Sequence, residues 1–234
     1  MINKQDLLRE TKRKLIHACG ILTLFPLILL PEHLKVKVFA LFVAIALFLN
    51  WYWSRRQLRE KYFKQMISDL PHEHKHNMLK GAEQIKKFEE NVLFGFLKDV
   101  ARKKEREPLA ATFYYLLSAL FALVVFGLPY AIFGLFAIAI GDCAATLIGK
   151  PFGKHKIPWN REKSVEGFIG FFAATAFSIF AFLYFMPQFA VFDPLILSII
   201  AGMAGAAIET IPTVNDNSSI PVGVGFIIWI FALV

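Results

Sequence analysis

Asp142, Glu209 and Asp216 are carboxylates set within or beside strongly apolar sequence, and Lys163 lies between them in the chain. An ionised carboxylate inside an apolar span is costly, so it faces a partner, a cavity or a metal. Three such groups converging with lysines would form the set needed for metal-assisted phosphoryl chemistry. Mg2+ takes one or two carboxylates together with phosphate oxygens, a role open to Asp142. The stretch from Gly141 to Gly167 adds Gly149, Lys150, Gly153, Lys154, Asn160, Lys163, Ser164 and Glu166. Glycines allow backbone N–H groups to approach phosphate oxygens closely, and lysines neutralise them. The spacing is not that of a Walker A loop, and no strand is expected before it. The bland alternative is a basic loop whose Asp142 is satisfied by neighbouring helices.

The elements that must position these residues are legible as apolar blocks. Of the 234 residues, 56% are hydrophobic, and they come in long runs rather than amphipathic stripes. Crossing the hydrocarbon core takes about 20 apolar residues. Six blocks approach that length, at 15–31, 36–53, 109–127, 128–149, 165–187 and 192–212, and a shorter seventh covers 222–234. Lipid offers no partner for backbone groups, so these blocks must be helices. The expected fold is all-α, a polytopic transmembrane helix bundle of about seven spans. Residues 1–53 read as an N-terminal transmembrane hairpin, 54–108 as a cytoplasmic amphipathic insert and 109–234 as a transmembrane catalytic core.

Basic residues set the orientation. With the N-terminus cytoplasmic and the side alternating at each span, the inner segments hold 24 of the 26 Lys and Arg residues. This satisfies the positive-inside rule and puts the Asp142 region on the cytoplasmic face. The net charge of +8 therefore reports topology and attraction to anionic headgroups, not a nucleic-acid partner. Block 15–31 has a basic flank but no Ala-x-Ala site, so it reads as an uncleaved span. Cys19 and Cys143 both fall in expected spans and imply no disulfide framework.

The insert has helical periodicity. Leu58, Tyr62, Met66 and Leu70 recur every four residues, and after Pro71 the positions Ile85, Phe88, Val92, Phe96 and Val100 continue at helical spacing. Basic amphipathic helices beside spans lie along the interface, either as a cradle for a lipid or as a packing collar. His72-Glu73-His74-Lys75-His76 matches the zincin pattern His-Glu-x-x-His. Its charged surroundings offer no obvious pocket, and it reads as a solvated histidine cluster. Arg13, Lys14 and His17 stand where the first span meets the cytoplasm. Basic residues anchor such boundaries by snorkelling, whereas a histidine one turn into a span needs a hydrogen-bond partner. Glu209 lies within the sixth block near its end, and Asp216 and Asn217 are expected in the loop after it. That loop carries no basic residue and faces the same side as Asp142.

Several of these segments occur together in one family. Arg-Lys-x-x-His at 13–17, Gly-Asp-x-x-Ala-x-x-x-Gly at 141–149, Phe-Gly-Lys at 152–154 and Pro158-Trp159-Asn160 come in order. Lys163-Ser164-x-Glu166-Gly167 and Glu209…Asp216-Asn217…Pro221 complete the set. The chain thereby resembles the CTP-dependent polyprenol/dolichol kinase family, which also includes phytol, farnesol and diacylglycerol kinases. The resemblance covers the helical core and says little about the insert. It departs at Asn215, where many members carry an acidic residue.

The resemblance implies transfer of the γ-phosphoryl group of CTP to a lipid alcohol with Mg2+ as cofactor. Asp142 and Asp216 would hold the metal, with Glu209 and Asn217 beside them. Arg13 or Lys14, with Lys150, Lys154 and Lys163, would clamp phosphates near Gly149 and Gly153. Asn160 and Ser164 would orient an oxygen, His17 would support the site, and Glu166 or Asp216 would take the hydroxyl proton. A phosphatidate cytidylyltransferase-like enzyme would need the same parts, with attack at the α-phosphate. An ion-coupled transporter would instead need acids spread through the membrane depth. The lipid substrate and the oligomeric state are not encoded in these motifs.

Overall fold

A computed structural model describes residues 19–55, 61–63, 65–67, 72–88, 91, 110–212 and 215–234. Arg13, Lys14 and His17 lie outside the described residues, as do the side chains of His72, Glu73 and His76. The fold is all-α. After a 3-10 turn at Cys19–Thr23 come α1 (Leu24–Leu29), α2 (Glu32–Ser54), α3 (His72–Phe88), α4 (Ala110–Val125) and α5 (Leu128–Phe136). A π-helical turn, Ala137–Gly141, joins α5 to α6 (Asp142–Phe152). A β-hairpin follows, with β1 at Lys156–Ile157 and β2 at Asn160–Ser164. The chain continues through α7 (Val165–Phe185), α8 (Pro194–Glu209) and α9 (Asp216–Phe231).

The chain divides into two compact units. Unit 2, Ile45–Ala110, holds the end of α2, where Phe48 stacks on Tyr52, and the amphipathic α3. As the break at Pro71 predicts, α3 begins at His72. Unit 1, Met1–Ala44 with Ala111–Val234, holds the candidate site.

Among the described residues, three helical stretches are long and apolar enough to cross a membrane: Glu32–Tyr52, Leu128–Phe152 and Val165–Phe185. Four shorter apolar helices accompany them: Gly20–Leu29, Ala110–Val125, Pro194–Glu209 and Asp216–Phe231. Gly127 takes φ +104° to turn the chain from α4 into α5. Asp193 caps α8 by accepting from the N–H groups of Leu195 and Ile196, and Pro194 supplies a preformed first turn. Within unit 1, α7 packs along α6 and α8, and α9 packs on α8 and α5. The π-turn touches α7, α8 and α9 and so sits at the centre of the bundle.

Three sequence expectations are corrected. Asp216 and Asn217 are not in a loop but open α9, which starts before the expected 222–234 block. Asn215 accounts for this by accepting from the N–H of Asn217 at 3.0 Å, and Asn is a favoured N-cap residue. Lys150 also belongs to a helix, because α6 runs through Pro151 to Phe152. The rest of the basic segment is a hairpin, pairing Lys156 with Ser164 and Ile157 with Asn160.

Candidate functional site

Glu209 and Asp216 stand at helix ends, and Asp142 stands where the π-turn passes into α6 within one continuous helical stretch. Asp142 is the first residue of α6, directly after the π-turn, and is 2% exposed. A π-turn adds a residue to the helical ladder and changes the face that the next side chain presents, a device common at functional sites. Asp216 is the first residue of α9, where the positive end of the helix dipole favours an anion. Glu209 is the last residue of α8, the unfavourable end for a carboxylate, and its side chain is only 5% exposed. Its compensation arrives from β2: Lys163 donates from Nζ to Glu209 Oε1, and to Asp216 Oδ2 at 3.1 Å.

The result is a cluster in which one oxygen from each of Asp142, Glu209 and Asp216 lies within 4.8 Å of the others. Burial works against the Lys163 charge, but Glu209 and Asp216, with a smaller effect from Asp142, outweigh it and raise its pKa above the ordinary lysine value. One ammonium against three carboxylates leaves an excess of negative charge in a largely buried place. Hard oxygen donors in that arrangement suit a divalent cation such as Mg2+. Among the described residues the buried acids are Asp142 and Glu209.

The π-turn is held in place by close packing. A Cβ on Gly141 would stand 2.3 Å from Thr175 Oγ1 and 2.6 Å from the Phe171 ring, both on α7. Phe171 and Thr175 are fully buried, so they have nowhere to retreat. Gly141→Ala is therefore expected to displace Asp142 and lower activity at least about 10-fold, the scale on which small misplacements near reacting groups act. Assay of this variant beside Gly81→Ala, where a Cβ would meet nothing within 4 Å, checks it.

The remaining sequence-predicted residues frame the cluster. Ser164 caps α7 by accepting from the N–H of Gly167 at 3.2 Å, a contact worth about 1 kcal/mol. It fills the space beside two of the glycines: a Cβ on Gly153 would lie 2.4 Å from Ser164 Oγ, and one on Gly149 3.1 Å. Glu166 faces the other way. Its carboxylate accepts from the His155 backbone N–H at 3.2 Å and pairs with His155 Nδ1 at 2.7 Å, tying the start of the hairpin to α7. Asn160 donates from Nδ2 to the Thr210 carbonyl at 3.1 Å and accepts from the Glu162 N–H. Asn217 is anchored through its backbone carbonyl, which accepts from Ser118 of α4 at 3.0 Å. Lys150 and Lys154 are exposed.

The sequence motifs gave Thr210 and His155 no place and Trp159 no role. The Trp159 indole N–H donates to Thr210 Oγ1 at 3.2 Å, which seats the hairpin tip on the end of α8. Pro158-Trp159-Asn160 was visible as a motif, but its partner is distant in sequence and only the fold brings them together.

The profile of the Cytidylyltransferase family matches residues 11–207, which take in Asp142 and the hairpin and end short of Glu209 and Asp216. The chain is 29% identical over 136 residues to a chloroplastic farnesol kinase of Arabidopsis thaliana, covering 54% of this chain and 44% of that protein. It is 32% identical over 137 residues to a chloroplastic protein of Zea mays named as a probable phytol kinase, covering 53% and 45%. Phytol kinase 1, chloroplastic, of Arabidopsis thaliana is 29% identical over 136 residues, with 53% and 45% covered. The chain thus spans less than half the length of these curated relatives. No solved structure matches it.

Proposed function

The chain belongs to the cytidylyltransferase family, and from that premise we propose that it is a membrane lipid kinase passing the γ-phosphoryl group of CTP to a lipid alcohol. The observation that carries this reading is the meeting of Asp142, Glu209 and Asp216 with Lys163. Relatives named as farnesol and phytol kinases favour an isoprenoid alcohol over diacylglycerol. The excess of Lys and Arg in the expected inner segments supports a site on the cytoplasmic face.

Phosphoryl transfer depends mainly on positioning and charge neutralisation. Asp142, Glu209 and Asp216 would hold Mg2+, which when bound neutralises the phosphate oxygens and the charge that develops on them. Lys163 brings a fixed ammonium to the same place, and the exposed Lys150 and Lys154 receive the outer phosphates. Asp216 is the most open of the three carboxylates, with its side chain 29% exposed, and is the one a substrate hydroxyl can reach. The alcohol oxygen forms a bond to the γ-phosphorus while the bond from that phosphorus to the β–γ bridging oxygen breaks. The hydroxyl proton passes to Asp216, and CDP leaves. Glu166 holds His155, and Ser164 and Asn160 hold the hairpin that delivers Lys163.

The test is product identification. Purified protein in lipid nanodiscs receives Mg2+, CTP or ATP, and a panel of polyprenols, phytol, geranylgeraniol, farnesol and diacylglycerol. A lipid monophosphate formed with CDP supports the proposal, and chelation should abolish its formation until Mg2+ is restored. Membership of the cytidylyltransferase family favours a second reading, CDP-lipid synthesis from a lipid phosphate. Release of pyrophosphate with a CDP-lipid would establish that alternative.

A further inference from the structure

Trp159 combines an exposed aromatic face with a fixed edge. The residue is 65% exposed, yet its indole N–H is satisfied by Thr210 Oγ1 at 3.2 Å. Asn160 makes a second bond to the same residue, through the Thr210 carbonyl. Thr210 directly follows Glu209, so the hairpin tip is seated beside a carboxylate of the cluster. Farther along the same hairpin, Lys163 reaches Glu209 and Asp216. A strand advances about 3.3 Å per residue, which puts Trp159 and Lys163 no more than about 13 Å apart. Lys154, Lys156 and Arg161 are exposed on or beside the same hairpin.

An indole with its N–H satisfied and its face open, set among cations, has the attributes of a stacking surface for a flat ring that carries phosphates. We propose that Trp159 is the platform on which the base of the nucleotide stacks, while Lys163 and the carboxylate cluster receive its phosphates. The inference rests on the nucleotide reading of the site. Every base has a π-face, so this platform supplies affinity and leaves the choice of base to polar groups. Tryptophan in a membrane protein also serves as an interfacial anchor. The surroundings favour the base. Apolar Ile157 turns inward, and on the hairpin Trp159 stands with exposed Lys156, Arg161 and Glu162, its large exposed apolar neighbour being Ile211 beside Thr210.

Equilibrium binding of CTP and of inorganic tripolyphosphate, with Mg2+ and the full chain in nanodiscs, tests this. Trp159→Leu should weaken CTP binding about 10-fold or more and leave tripolyphosphate binding unchanged, while Trp159→Phe stays within about threefold of the parent for both. If Trp159→Leu binds CTP as the parent does, the platform is overturned and the nucleotide site stands. The platform falls in that case even if the variant loses affinity for the lipid, which would make Trp159 an anchor. Equal loss of both ligands also overturns it, because stacking touches only the base. A parent protein that binds no CTP removes the underlying reading as well.

Discussion

Asp142→Asn is expected to lower turnover by about 10²–10³-fold while leaving the protein folded. The carboxylate is buried at the centre of the bundle and shares its space with Glu209 and Asp216. Metal-borne charge stabilisation is worth several kcal/mol, and each ~1.4 kcal/mol is tenfold in rate. Asparagine has nearly the same shape and removes one of three like charges, so packing should survive and the thermal midpoint should hold or rise. The loss should fall on kcat and on the Mg2+ concentration needed for half activity, leaving the lipid KM almost unchanged. A variant with parental turnover and parental Mg2+ dependence would remove Asp142 from the site.

Lys163→Met should damage both activity and stability. Removing one partner of a fully buried pair costs about 3–5 kcal/mol, and the 25% exposure of Lys163 lowers the expected figure to about 2 kcal/mol. For a chain of this size that is a fall of about 4–8 °C in Tm. The physical cause is Glu209, left as a buried carboxylate at the negative end of α8 with no cation. Adding Glu209→Gln to Lys163→Met should recover part of the lost Tm without recovering activity. That non-additivity is the signature of a direct pair. Additive losses in stability would mean that the ion pair does not carry the effect.

The carboxylates were legible because an acid in an apolar helix stands out in any composition. Their spacing in sequence carried no geometric information, but a shared membrane face was enough to expect convergence, and the cluster has that form. A helix start was also legible at Pro71, where proline chemistry acts locally. The π-turn was not. Ala-Ile-Ala-Ile-Gly is apolar throughout, and an extra residue in a helical turn leaves no trace in hydropathy. The hairpin was hidden for a different reason. β1 has two residues and β2 five, too short for alternation to register, and what holds the tip is Thr210 from the far side of α7 and α8. Asn215 looked like a missing acid and is instead the cap that starts α9 and aims Asp216.

Kinase and CDP-lipid synthase differ in which phosphorus of CTP is attacked. CTP labelled separately at the α- and γ-positions, offered with Mg2+ and an isoprenoid alcohol, answers it in one extraction. Label should enter the lipid from γ-labelled CTP only, with unlabelled lipid from the α-labelled donor. Label from the α-position, appearing when a lipid phosphate replaces the alcohol, would contradict the kinase and make this chain a CDP-lipid synthase.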